Sequence, residues 1–243
     1  MSRLLSSLGI GAATVDTVLP TTDLTPGESV EVSVELTGGD SPQEVDALYF
    51  ALLARVAGED HVLDQFRLTD PISLDAEETL TRTTEVAIPS WTPVTRGSTR
   101  VWLQTGLDIA WAVDPTDEDD VDVHPGPYLR SLFAAIDDLG FDHHETEART
   151  PTWLEDRPFA QAFTFTPDAD DWPDLDGLTL VCDPRGDDLK TVVEIDEHEP
   201  AEAYTDVEYD SQEVVHVFDT TDEDMMRRQL ESVIDQYTHV DDR

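Results

Sequence analysis

In the stretch SVEVSVELTGG, Val30, Val32, Val34 and Leu36 alternate with Glu31, Ser33 and Glu35. A period of two puts every apolar side chain on one face of an extended chain and every acid on the other. A helix would scatter the same residues around its axis. The turn signal Pro26-Gly27 precedes this segment and Gly38-Gly39 follows it, so it reads as a strand between turns. Similar strand-like segments recur in HVLDQFRL, TLTRTTEVAI, STRVWLQT and LDIAWAVD. In the last, Ile109, Trp111 and Val113 share one face and Ala110 and Ala112 the other. The segment VDALYFALLARVA (45–57) is rich in Leu and Ala, but it has no cap and lies among strands, so a long strand is expected. Short strands at regular turn spacing predict a β-sandwich of the immunoglobulin-like kind.

The middle of the chain changes character. DPTDEDDVDVHPGP, around residues 115–127, is rich in acid, Pro and Gly and is expected to be a boundary. Pro127 then opens a helix and Gly140 follows it, with Leu129, Leu132, Phe133, Ile136 and Leu139 as its apolar stripe. Strands resume in PFAQAFTFTP, where Phe159, Phe163 and Phe165 alternate with Ala160, Ala162 and Thr164. LTLVCDPRGDDLKTVVEIDE reads as a hairpin turning at Asp183–Asp188, and EVVHVFDT as a further strand. A last helix has Thr221 and Asp224 spaced as a capping box, with Met226, Leu230, Val233 and Tyr237 on its buried face. The start, MSRLLSSLGIGAATVDT, is interrupted by Ser6, Ser7, Gly9 and Gly11, so a short helix leading into the first strand is expected rather than a signal peptide. The expected domains are residues 1–122 and 123–243.

Charge narrows the functions. There are 55 acidic residues against 14 Lys and Arg, a net charge of -41, and a single lysine, Lys190. The interleaved apolar pattern and the aromatic residues argue for a packed core rather than a disordered acidic chain. Such a surface suits very high salt, because at about 1 M the Debye length falls to ~3 Å and self-repulsion is screened. A halophilic protein is therefore expected. A chain so poor in cations neutralises few phosphates, so nucleic-acid binding is not expected. There is no transmembrane run and no basic amphipathic segment, so membrane insertion is not expected either. The one cysteine, Cys182, sits in a strand-like apolar setting, reads as a buried thiol and suits a reducing compartment.

No motif commits the chain to catalysis. It has no G-x-S-x-G, no HExxH and no phosphate-binding loop. His143 and His144 are adjacent, so on a strand they face opposite ways, and the other histidines, His61, His124, His198, His216 and His239, lack ligand spacing. Trp91, Trp102, Trp111, Trp153 and Trp172 are explained first by core packing, with Trp91 and Trp172 as secondary candidates for anchoring a partner. The remaining candidate is the acid cluster in GLDIAWAVDPTDEDD, namely Asp108, Asp114, Asp117, Glu118, Asp119 and Asp120. It lacks the spacing and central glycine of an EF-hand. A turn begun at Asp114-Pro115 with a solvated acidic surface is the expected reading, and a cation patch of Asp114, Asp117 and Asp119 is the alternative.

GIGAATVDTVL, DALYFALLARV, PVTRGSTRVWLQTGLDIAWAVDPTDEDD and PFAQAFTFTP resemble the sporulation-control SpoOM family of arrestin-like cytoplasmic proteins. The match is clearest over the first ~140 residues, most specific between Pro93 and Asp119, and suggests a halophilic archaeal member. The resemblance implies two tandem arrestin-like, immunoglobulin-like β-sandwiches with a connecting helix and a C-terminal helix. It implies a non-enzymatic cytoplasmic scaffold or adaptor in development or the cell cycle, with no catalytic residues and no cofactor to carry over. The expected partner is an unidentified protein, and a homo-oligomer is also compatible. Phosphate-directed recognition is not expected, because the chain lacks a basic cluster. A divalent-cation or small-ligand binding module using the acids after Asp114 is the second function.

Overall fold

The computed structural model describes residues 13–109, 114–154, 156–197 and 212–238. The expected N-terminal helix, Trp111, Val113, His198 and His239 lie outside these residues, as do the side chain and surroundings of Tyr237. The chain divides into two compact units, Met1–Thr95 with Thr99–His124, and Arg96–Ser98 with Pro125–Arg243.

The first unit is built from strands alone among the described residues. In chain order these are β1 (Thr14–Val18), β2 (Asp23–Leu24), β3 (Ser29–Thr37), β4 (Gln43–Val56), β5 (Glu59–Leu68), β6 (Ile72–Leu74), β7 (Thr79–Ala87), β8 (Arg100–Ile109) and β9 (Thr116–Val123). One sheet has the order β1-β3-β7. A second has the order β2-β9-β8-β4-β5, with β6 also paired to β4. The alternation in β3 is realised fully: Val32, Val34 and Leu36 are wholly buried, whereas Glu31 and Glu35 are exposed. Residues 45–57 lie almost wholly within β4, in the centre of the larger sheet and paired on both sides. Leu48, Phe50, Leu52 and Ala54 make its buried row, and they face Leu107, Thr105, Leu103 and Val101 of β8 across the ladder.

Three expectations change here. STRVWLQT and the start of LDIAWAVD form one continuous strand, β8, rather than two. The acid run is not a turn: DPTDEDDVDV supplies the eight-residue strand β9. It pairs antiparallel with β8, so the ladder's backbone hydrogen bonds hold it extended despite the poor strand propensity of aspartate. The third change concerns the last helix, described below.

The second unit holds α1 (Pro127–Asp138), β10 (Phe141–Arg149), β11 (Ala160–Pro167), β12 (Leu175–Pro184), β13 (Leu189–Glu197), β14 (Gln212–Phe218) and α2 (Glu223–Thr238). Its strands form one antiparallel sheet in chain order, β10-β11-β12-β13-β14. Gly140 ends α1 at φ +80°, a conformation favoured by glycine. Leu129, Leu132 and Ile136 are buried, and Phe133 meets Phe163 edge-on at 4.9 Å. The β12–β13 hairpin turns through Arg185–Asp188, where the Arg185 amide donates to the Asp188 carbonyl at 2.9 Å. Helix α2 is capped one residue later than the capping-box spacing predicts. The Asp222 carboxylate accepts from the Met225 amide at 2.9 Å, so Asp222 is the N-cap. Its buried face is Met226, Leu230, Val233 and Ile234.

Candidate functional site

The acids of β9 divide by face. Thr116, Glu118, Asp120 and Asp122 point outward, whereas Asp117 and Asp119 share the face of Val121 and Val123, which are buried. The outward acids have a counter-charge. Arg100 Nε donates to Asp120 at 2.6 Å and its guanidinium also lies 3.5 Å from Glu118. Arg100 is itself stacked over Trp102 at 4.4 Å, a cation–π contact that orients it.

The inward acids have no such partner among the described residues. Asp117 Oδ2 accepts the backbone N–H of Thr17 at 2.7 Å. Asp119 is half-buried, and its Oδ2 is fully enclosed with no hydrogen-bond partner. Burial raises the Asp119 pKa first, followed by the charges of Asp117 and Asp16, a hydrogen bond with Asp117 and the charge of Asp120, bringing it to about 7. Two hydroxyls in this corner are also enclosed without partners, Thr17 Oγ1 and Thr105 Oγ1. Thr105 stands directly opposite Asp117 in the β8–β9 register, so the two side chains share a face.

The structure therefore brings together two of the three acids of the expected patch. Asp114 is bound elsewhere, its Oδ1 accepting from the Ile109 amide at 3.2 Å. Asp108 pairs with Arg67. Sequence reasoning missed Asp16, Thr17 and Thr105, because nothing in the chain announces that β1 reaches β9.

A second group escaped the sequence as well. The parallel pairing of β2 with β9 sets Asp23 beside Asp122, and their ligand atoms lie within 4.8 Å of one another and of His124. His124 Nε2 is 2.9 Å from Asp23, and Thr95 Oγ1 donates to Asp122. All three residues are exposed. Of the adjacent histidines, His143 bonds Thr146 Oγ1 at 2.8 Å, and the register slips between His143 and Glu145. Cys182 is buried, which pushes its thiol up to about 12. Trp172 donates from Nε1 to the Leu139 carbonyl at 2.6 Å and packs on Phe141, so its ring is engaged within its own unit.

The second unit exposes a different feature. Ala162, Val181, Val192 and Val215 form one row across four neighbouring strands. The first three are buried, with Trp153 and Leu154 packed over them and Lys190 Nζ 4.3 Å above the Trp153 ring. At the sheet's edge the row ends in solvent: Val215 is 61% exposed and Val217 46%.

The described residues form a mostly β chain of two units, with an acid-lined strand in the first and an apolar sheet edge in the second. The chain belongs to the SpoOM protein family, which matches residues 1–199. It is similar to the sporulation-control protein spo0M of Bacillus subtilis (strain 168), 29% identical over 251 residues, covering 97% of each chain. The crystal structure of Spo0M from Bacillus subtilis superposes with a TM-score of 0.79, covering 94% of this chain and 100% of that one. Family membership classes the chain as a non-enzymatic regulatory protein. Among the described residues no helix is long and apolar enough to cross a membrane.

Proposed function

We propose that this chain is an arrestin-like cytoplasmic adaptor that regulates a developmental or cell-cycle process by binding another protein. The sporulation-control name of its Bacillus relative supports a regulatory role, and the acidic surface supports one exercised in high salt. In this reading each unit is an arrestin-type, immunoglobulin-like sandwich domain.

The observation that carries the proposal is the edge of β14. It is the last strand of its sheet and presents Val215 and Val217 to solvent, next to the buried row of β13. Native proteins usually protect such an edge with charge, proline or a bulge. An extended partner segment would gain main-chain hydrogen bonds from β14 and place alternate side chains over the two valines. Edge acids such as Glu213 and Asp219 favour a partner segment with basic residues between its apolar ones.

The test is affinity capture in molar KCl with wild-type bait and with a Val215→Lys/Val217→Lys bait. One stoichiometric partner retained by the wild type and lost by the variant is the expected result. Equal capture by both baits would remove the edge from the account.

A further inference from the structure

We infer that the corner between β1, β8 and β9 is a binding site for one divalent cation, with Asp117 and Asp119 as its charged ligands and the hydroxyls of Thr17 and Thr105 as neutral ones. The inference is independent of the adaptor reading.

The geometry starts from which way each side chain faces. Val15 and Thr17 are the buried positions of β1, and Asp16 between them is exposed. Thr105 lies in the buried row of β8 and is 0% exposed, while Thr17 is 5% exposed. Asp117 and Asp119 lie on the buried face of β9, beside Val121. The Thr17 amide bound to Asp117 fixes β1 against this face. Side chains from three strands thus face this corner, and Thr17 Oγ1, Thr105 Oγ1 and Asp119 Oδ2 are enclosed without hydrogen-bond partners.

Unpaired buried oxygens are costly, and each such group calls for a missing partner. The missing partner here must attract oxygen. No Lys or Arg is among the side chains that define the corner, and the one backbone donor identified, Thr17 N–H, is already used by Asp117. The outward face of the same strand shows the contrast, because Arg100 neutralises Glu118 and Asp120 there. Two carboxylates balance a doubly charged ion. Ligands fixed on strands, and mixed between carboxylate and neutral oxygen, suit Ca²⁺, which accepts irregular shells of 6–8 oxygens. Mg²⁺ demands near-octahedral geometry and holds its waters, so it suits this half-enclosed corner less well.

The experiment uses the full chain in molar KCl, where the exposed surface charge is screened and nonspecific Ca²⁺ uptake is suppressed. Thermal unfolding is followed in chelator and across a Ca²⁺ titration, for wild type, Asp119→Asn and Thr105→Val, with Thr105→Ser as the conservative control. The expected result is a saturable rise in Tm for wild type and Thr105→Ser, and at least a tenfold weaker Ca²⁺ dependence for Asp119→Asn and Thr105→Val. Asp119→Asn removes a repulsive charge and is expected to fold in chelator, so its loss of response is readable. No saturable Ca²⁺ response in the wild type would overturn the proposal. So would an equal response in Asp119→Asn.

Discussion

The backbone amide of Thr17 donates to the carboxylate of Asp117 at 2.7 Å, across 100 residues of sequence. This bond links β1, the edge strand of the small sheet, to β9 of the large one. It also explains why an aspartate can occupy a position that strand periodicity reserves for a core residue.

Asp117→Asn keeps an oxygen for the Thr17 amide and removes the charge beside Asp119. The Asp119 pKa is expected to fall toward the ordinary carboxylate range, because a neighbouring charge that raises it is gone. Carbon-13 titration of the carboxyl group in chelator measures this directly. An unchanged Asp119 titration would mean that Asp117 does not contribute to its raised pKa.

The same carboxyl fixes a pH dependence. Its native pKa is raised to about 7, whereas the unfolded chain titrates near an ordinary ~4. Between those values the native state holds the extra proton, so stability in chelator is expected to fall as pH rises through this window. Asp119→Asn removes this contribution. Denaturant midpoints between pH 5 and 8, compared for the two proteins, check the sign.

Gly106 faces Tyr49 in the β4–β8 ladder, and a Cβ at position 106 would come within 2.1 Å of the tyrosine ring. Gly106→Ala is expected to cost about 1–3 kcal/mol by overpacking. Gly106→Ala combined with Tyr49→Ala is expected to recover part of that cost in equilibrium unfolding.

In the second unit Asp183 is 4% exposed and is held by Arg157 and by Arg185, the latter at 2.9 Å. Arg157→Ala leaves a buried carboxylate short of one partner and is expected to cost about 3 kcal/mol. Arg185→Ala, at the exposed side of the same group, is expected to cost less. Urea unfolding of both variants ranks them.

The legible parts of the fold were those where hydrophobicity and period agree. β3, with valines at every second position, and α1, bracketed by Pro127 and Gly140, needed no tertiary information. β9 was illegible because two of its four inward positions are aspartates, so its pattern lacks the apolar signal that marks a strand. Pairing with β8 supplies what its own residues do not. The candidate site was half legible for the same reason. Asp117 and Asp119 belong to one acidic run, but Thr17 and Thr105 reach them only through a contact between strands far apart in sequence. β2, two residues long, is set by its parallel ladder to β9, and that alone brings Asp23 to Asp122 and His124.

In the proposed function, the chain recognises its partner by adding a strand to β14. Hydrogen exchange of the backbone amides, with and without the captured partner in molar KCl, tests it most directly. The outward amides of Gln212–Phe218 are expected to slow sharply on binding, while β5 and β10, edge strands of the two larger sheets, do not change. Protection that appears on β5 or β10 and spares β14 would contradict it.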